Sequence, residues 1–366
     1  MVIRFKRMYL WTLLIVILFI YYEKEFGTGS NNLKNFSDNN QNINSIFKEN
    51  GFISYPRNSY YVWNKEYLKA NGYWNFRNFT SEEMKKLSIM GRRLFFHEDI
   101  GLPQPTTFLI YIYKFGPRLN LRLVNHYSQQ NLDPFENCSV KNCRISYDHS
   151  DFNSADAVLF HLHLIEGPPV ELQRVNYNQR WVWLSDESVF NTFYIAKDKN
   201  LNHYNNFFNW SMTYRSESDV PVPYGRVVPL LDRNVKLDLD VFSRKNKTLA
   251  ILGSNCSGRN GRWNYVKILE KYINIDSYGH CGKLKCPGHF NNDCNLINPY
   301  KFYLAFENSN CKDYITEKAW WNSFEKETVP VVMGTTKSNY EKLLPPNSFI
   351  HVDDFESPKH LADYIR

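Results

Sequence analysis

Along this chain the apolar positions fall in short runs, broken by polar, glycine-bearing or proline-bearing loops. In the second half the runs alternate with stretches of helical spacing. Leu249–Leu252 predicts a strand, Trp263–Tyr272 a helix and Ile275–Tyr278 a strand. After a Cys/Gly-rich loop come a strand at Lys301–Phe306, a helix from Thr316 and a strand at Val329–Met333. A short helix near Tyr340–Leu344, a strand at Phe349–Val352 and a helix from Pro358 complete the series. Strands alternating with helices predict a parallel sheet covered on both faces.

The first half carries strand-length apolar runs at Phe108–Tyr113, Ala157–Leu162 and Trp181–Leu184. Asp219–Gly225, D-V-P-V-P-Y-G, has two prolines and cannot continue a helix or a central strand, so it reads as the connection between two domains. Leu231–Lys247 is charged and reads as exposed. No repeat at a solenoid period is present.

The N-terminus follows a different pattern. Arg4, Lys6 and Arg7 precede an apolar run from Met8 to Tyr22. As a helix that run spans roughly 22 Å, enough for a thin membrane. Tyr21-Tyr22-Glu23-Lys24 offers no small-residue cleavage site, so an uncleaved signal anchor is expected rather than a signal peptide. The basic flank places the tail, 1–7, in the cytosol and everything after the anchor, 8–22, in the lumen. Residues 23–50 are rich in Asn, Ser and Lys and read as a solvated stem. Residues 51–220 and 221–366 then form the two folded domains.

The net charge of +7 is spread out. No basic run is dense enough for nucleic acid, and a mild cationic excess suits a small anionic ligand. Six N-x-S/T sequons, at Asn35, Asn78, Asn137, Asn209, Asn246 and Asn255, agree with a lumenal chain. Of the seven cysteines, Cys138 and Cys143 can close a local loop. Cys256, Cys281, Cys286, Cys294 and Cys311 leave an odd one. With no C-x-x-C pair, disulfides are expected over zinc.

Chemistry concentrates between Tyr300 and Gly334. Glu307, Asn308 and Ser309 follow a buried strand, where an open α/β sheet places its ligand crevice. Thr316 stands as a helix cap, with Glu317 and Lys318 in the first turn. A cation and a helix start beyond a strand end suit a phosphate-bearing ligand. The loop S-N-C-S-G-R-N-G-R offers Arg259 and Arg262, which spacing alone does not separate. Asp186 and Glu187 follow R-W-V-W-L-S and are equivalent by pattern. Asp238-Leu239-Asp240 is a D-x-D, a metal-diphosphate pattern elsewhere, but it follows no apolar strand and is read as chance.

F-Y-L-A-F-E-N-S, K-D-Y-I-T-E-K and V-P-V-V-M-G closely resemble the donor-binding motif of the α1,3-fucosyltransferases, a family of inverting glycosyltransferases. The resemblance runs from about Cys138 to the end. It implies two Rossmann-like α/β domains facing a cleft, the glycosyltransferase B type, and a Golgi type II membrane enzyme. The implied reaction moves L-fucose from GDP-β-L-fucose to a GlcNAc hydroxyl of a glycan or glycoprotein acceptor. Terminal LacNAc, LacdiNAc and the N-glycan core all remain open as acceptors. No obligatory cofactor is implied, with manganese at most a stimulant.

The resemblance also orders the candidates. W-V-W-L-S-D-E-S matches a W-x-W-x-x-x-E-S-P stretch whose Glu is the general base, so Glu187 takes that role; Val189 stands where the family has Pro. It puts Arg262 and Lys318 on the diphosphate, and Tyr314 and Glu317 near the fucose and nucleotide. Asn308 and Glu307 are expected at ribose or guanine, and Tyr224, in V-P-Y-G, beside the donor. Tyr214, Arg215 and Asp219 are expected either at the donor or in a hinge. His161 and His163 are separated where the family has an H-H pair and carry little weight. Family members continue past the point where this chain stops, which implies an incomplete C-terminal domain. An inactive glycan-binding homologue, and a transferase using another nucleotide sugar, stay as alternatives.

Overall fold

The computed structural model describes residues 79–96, 106–113, 135, 141–165, 167–168, 172–193, 199–227, 240–287 and 294–366. The expected tail, anchor and stem, the sequons at Asn35, Asn78 and Asn137, and Cys138 and Asp238 lie outside these residues. No helix among the described residues is long and apolar enough to cross a membrane.

Two parallel sheets carry the fold. The first comprises β1 (Phe108–Ile112), β2 (Cys143–Ser146), β3 (Ala157–His161), β4 (Arg180–Ser185), β5 (Trp210–Thr213) and β6 (Val220–Pro221). Its order is β2-β1-β3-β4-β5-β6. The second comprises β7 (Lys247–Leu252), β8 (Asp276–Tyr278), β9 (Tyr300–Phe306), β10 (Val329–Met333) and β11 (Ile350–His351), in the order β11-β10-β9-β7-β8. Every strand pairing in both is parallel. In each sheet the chain steps from the first strand to one neighbour, then returns to the other side. The reversal points lie between β1 and β3, and between β7 and β9, and a ligand crevice forms at such points.

The alternation of β9 explains its burial on both faces. Tyr303 and Ala305 join one core with Val332, Ala319, Trp320 and Tyr340. Leu304 and Phe306 join the other with Leu249, Ile251, Val266 and Leu361. These cores are roofed by α3 (Arg262–Leu269) and α6 (Pro358–Ile365) on one face, and by α4 (Glu317–Trp320) and α5 (Lys337–Leu343) on the other.

The strand pattern holds, with trimmed ends. The predicted helix 263–272 is Arg262–Leu269 followed by turns, and the predicted strand 349–352 narrows to Ile350–His351. Strands β2, β5 and β6 were not legible as apolar runs, because each is short or half polar. The two-proline segment provides β6 at the sheet edge, where a strand tolerates a missing N–H.

Two early helices, α1 (Ser81–Lys86) and α2 (Ile89–Phe96), were also unpredicted. Thr80 and Glu83 form a reciprocal capping box at the start of α1. This segment packs against the second half of the chain. Lys342 pairs with Glu83 and lies 4.4 Å from the Phe79 ring centroid, and Leu343 packs on the Phe79–Phe96 cluster.

Disulfides join Cys256 to Cys281 and Cys286 to Cys294. Both brace the loops beyond β7 and β8, and Cys311 is the odd cysteine, a free thiol. Burial raises its pKa.

Candidate functional site

The loops after β4, β7 and β9 hold the candidate residues. Glu187 lies two residues beyond β4, and its Oε2 accepts a 3.0 Å hydrogen bond from the Tyr314 hydroxyl. Tyr314 is 2% exposed and packs 4.8 Å from the Tyr214 ring. Burial first, then the Glu187 charge, hold its phenol well above the ordinary pKa, so it is a donor at any physiological pH.

Structure separates the two carboxylates that the pattern left equivalent. Asp186 turns to His161 at the end of β3, at 3.0 Å from its Nε2, while Glu187 turns to Tyr314. The backbone carbonyl of Asp186 accepts from the Tyr224 hydroxyl at 2.6 Å. Ser188 and Ser309, both buried, hydrogen-bond at 2.9 Å. Residues 186, 187 and 188 are thus tied in turn to the second half of the chain. His161, expected to carry little weight, proves to be a structural partner of this loop. Its place at a strand end beside β4 is the signal that pointed there.

Beyond β9, Glu307 does not present its carboxylate to a ligand surface as its expected contact with ribose or guanine requires. It is 0% exposed and accepts from the Thr316 N–H at 2.8 Å and the Thr316 hydroxyl at 2.9 Å. The hydroxyl expected to cap α4 is therefore committed to Glu307, and the cap bond is absent. Lys318 Nζ stands 3.2 Å from Glu307 and 3.0 Å from Glu317. Burial opposes the Lys318 charge, but the two carboxylates outweigh it and raise its pKa, so the ammonium is permanent. Burial likewise pushes Glu307 up, against the pull of Lys318. For Glu317 burial works against the charge, yet Lys318 wins and its carboxyl sits low.

Arg262 opens α3 at the β7–β9 reversal. It is 4% exposed, and donates to the Phe306 carbonyl at 2.9 Å and the Asn255 carbonyl at 2.6 Å. Its Nε makes no hydrogen bond among the described residues. Burial lowers its pKa, opposed by Glu307. Arg262 therefore clamps the loop after β7 onto the end of β9 and adds a buried cation there. Arg259 is exposed, with its guanidinium 4.7 Å from the Phe190 ring centroid. Half-buried Asn308 accepts the Ser309 hydroxyl at 3.0 Å and lends its carbonyl to the Arg259 N–H.

The remaining candidates brace the site. Asp219 accepts from the Ser211 N–H and hydroxyl, each at 2.8 Å. Arg215 pairs with Glu217 at 2.5 Å. Gly225 follows Tyr224 because a Cβ there would lie 2.2 Å from the Trp320 ring.

A model described as "Fucosyltransferase, N-terminal" matches residues 104–225, and one described as "Glycosyltransferase family 10 (fucosyltransferase) C-term" matches residues 242–366. The chimpanzee (Pan troglodytes) 4-galactosyl-N-acetylglucosaminide 3-alpha-L-fucosyltransferase FUT6 is 40% identical over 227 residues, 61% of this chain and 60% of its own length. The Drosophila melanogaster glycoprotein 3-alpha-L-fucosyltransferase A is 37% identical over 236 residues, 63% of this chain and 44% of its own. The chain thus matches less than two thirds of the length of these relatives. A crystal structure of an alpha1,3-fucosyltransferase with GDP-fucose superimposes with a TM-score of 0.46 at 18% identity, over 77% of this chain and 81% of that one. Since the two matching halves of one family occur in order and each spans one of the two parallel sheets, the chain belongs to glycosyltransferase family 10, the fucosyltransferases.

Proposed function

We propose that this chain transfers L-fucose from GDP-β-L-fucose to the 3-hydroxyl of a GlcNAc residue in a glycan acceptor, with inversion to the α-fucoside. The carrying observation is the Tyr314–Glu187 bond, which brings a carboxylate from the end of β4 to the residue that opens the T-E-K segment of Lys318. On this reading the two sheets are the two domains of a B-type glycosyltransferase, with the reaction between them.

Glu187 removes the proton of the acceptor hydroxyl as its oxygen bonds to the anomeric carbon. The bond from that carbon to the β-phosphate oxygen breaks on the opposite face, and the electron pair leaves with GDP. Lys318 meets the growing diphosphate charge, and Arg262 adds a second cation behind it. Glu307 and Thr316 hold Lys318 in place, so those side chains act through it rather than on the ligand. Glu317 and Asn308 border the donor, and Tyr224 fixes the base loop. With cations from the protein, the reaction needs no divalent metal.

Family membership supports the donor and acceptor class. The disulfides support an oxidising compartment. With the basic-flanked apolar run 8–22, they support a Golgi type II protein with a lumenal catalytic part.

The test is GDP-fucose turnover by the full chain in detergent against LacNAc, LacdiNAc and GlcNAc-terminated N-glycans. Transfer to one of these is expected, and its persistence in strong chelator checks the metal-free part. GDP release with no fucosylated product from any acceptor would overturn the reading.

A further inference from the structure

We infer that Phe190, with Val189, is an acceptor platform that stacks against the C–H face of an acceptor pyranose ring. The inference rests on the proposed transfer at Glu187 and concerns how the acceptor is recognised there. Ser188–Asn191 is a tight turn closed by the Asn191 N–H on the Ser188 carbonyl at 2.8 Å. Val189 and Phe190 are its two corner residues. Such corners favour Gly, Pro, Asn, Asp or Ser. This turn instead presents an apolar pair, 68% and 51% exposed.

The fold does not need them. The turn is pinned by its polar residues: Ser188 to Ser309 at 2.9 Å, Thr192 to the Ser188 carbonyl at 3.1 Å, and Ser185 to Thr192 at 3.2 Å. A rigid base thus carries an exposed ring three residues from the proposed proton acceptor. Arg259, from the loop after β7, stands over one side of that ring, its guanidinium carbon 4.7 Å from the centroid. The ring stays half exposed beside this contact.

A sugar's polarised C–H groups suit the electron-rich face of an aromatic ring, and apolar area beside a few polar groups is how small-ligand sites bind and orient. An acceptor lying on Phe190 has its hydroxyls free for Glu187.

The experiment measures acceptor and donor KM separately for the full-length parent, Phe190→Ala and Phe190→Trp, with thermal unfolding of each. Phe190→Ala is expected to raise acceptor KM roughly fivefold, the worth of one aromatic contact. Donor KM and melting temperature stay at parent values, and Phe190→Trp restores acceptor KM. An unchanged acceptor KM in Phe190→Ala, or a donor KM that rises with it, overturns the platform. No transfer by the parent is the separate failure of the proposed function.

Discussion

The Tyr314 hydroxyl donates to Glu187 Oε2 at 3.0 Å, across 127 residues of sequence. With the Ser188–Ser309 bond, it joins the loop after β4 to the loop after β9. It fixes the carboxylate while leaving its other oxygen to take a proton.

Tyr314→Phe removes that bond and keeps the ring. Turnover should fall roughly tenfold to a hundredfold, the worth of a hydrogen bond to a charged group. GDP affinity by calorimetry should stay near parent. A parallel loss of affinity would mean that Tyr314 serves the donor and not the base.

Glu187→Gln should lower kcat by at least about a hundredfold, with GDP still bound. Asp186→Asn keeps an acceptor for His161 and should retain most activity. Steady-state kinetics of the pair decides between the adjacent carboxylates. Equal losses would show that the loop as a whole, rather than Glu187, was disturbed.

Lys318→Ala strands the Glu307 carboxylate, which is fully buried. Breaking a buried pair costs roughly 3–5 kcal/mol, measurable by urea unfolding. Adding Glu307→Gln removes the stranded charge, so the double variant should recover part of the stability but none of the turnover. Recovery of both would remove Lys318 from the leaving-group role.

Glu217 gives a pH prediction. Its hydrogen bond from Lys312, opposed by partial burial and joined by Arg215, lowers its pKa from 4.5 to about 2. Lys312 lies in the second half of the chain, 2.5 Å away. A depressed folded pKa means that this stability is complete above the ordinary carboxylate value. It is lost as pH falls from about 4.5 towards 2. Both side chains are partly exposed, so the contribution is about 1 kcal/mol. Glu217→Gln should reduce stability at pH 7 by that amount and flatten its decline below pH 5, in urea titrations across that range.

The central strands of the second sheet were legible because they are buried on both faces. Val329–Met333 needed no correction, since V-P-V-V-M is apolar throughout and ends at Gly334. β5 was not legible, since W-S-M-T is half polar and its place depends on Asp219 binding Ser211. The early helices α1 and α2 carried a capping box in plain sight. What they pack against, Lys342 and Leu343, lies some 250 positions further along the chain.

By itself the sequence determined the strands before the site loops to within a residue or two and which charged residues follow them, because local apolar runs and loop composition suffice for that. It also carried the motif of the family. Only the tertiary structure decided which of two neighbouring carboxylates meets Tyr314, that Glu307 supports Lys318, and that the apolar corner at Val189 and Phe190 stays exposed. Those outcomes depend on side-chain direction at strand ends and on contacts between loops far apart in sequence, which the order of residues does not display until both sheets are formed.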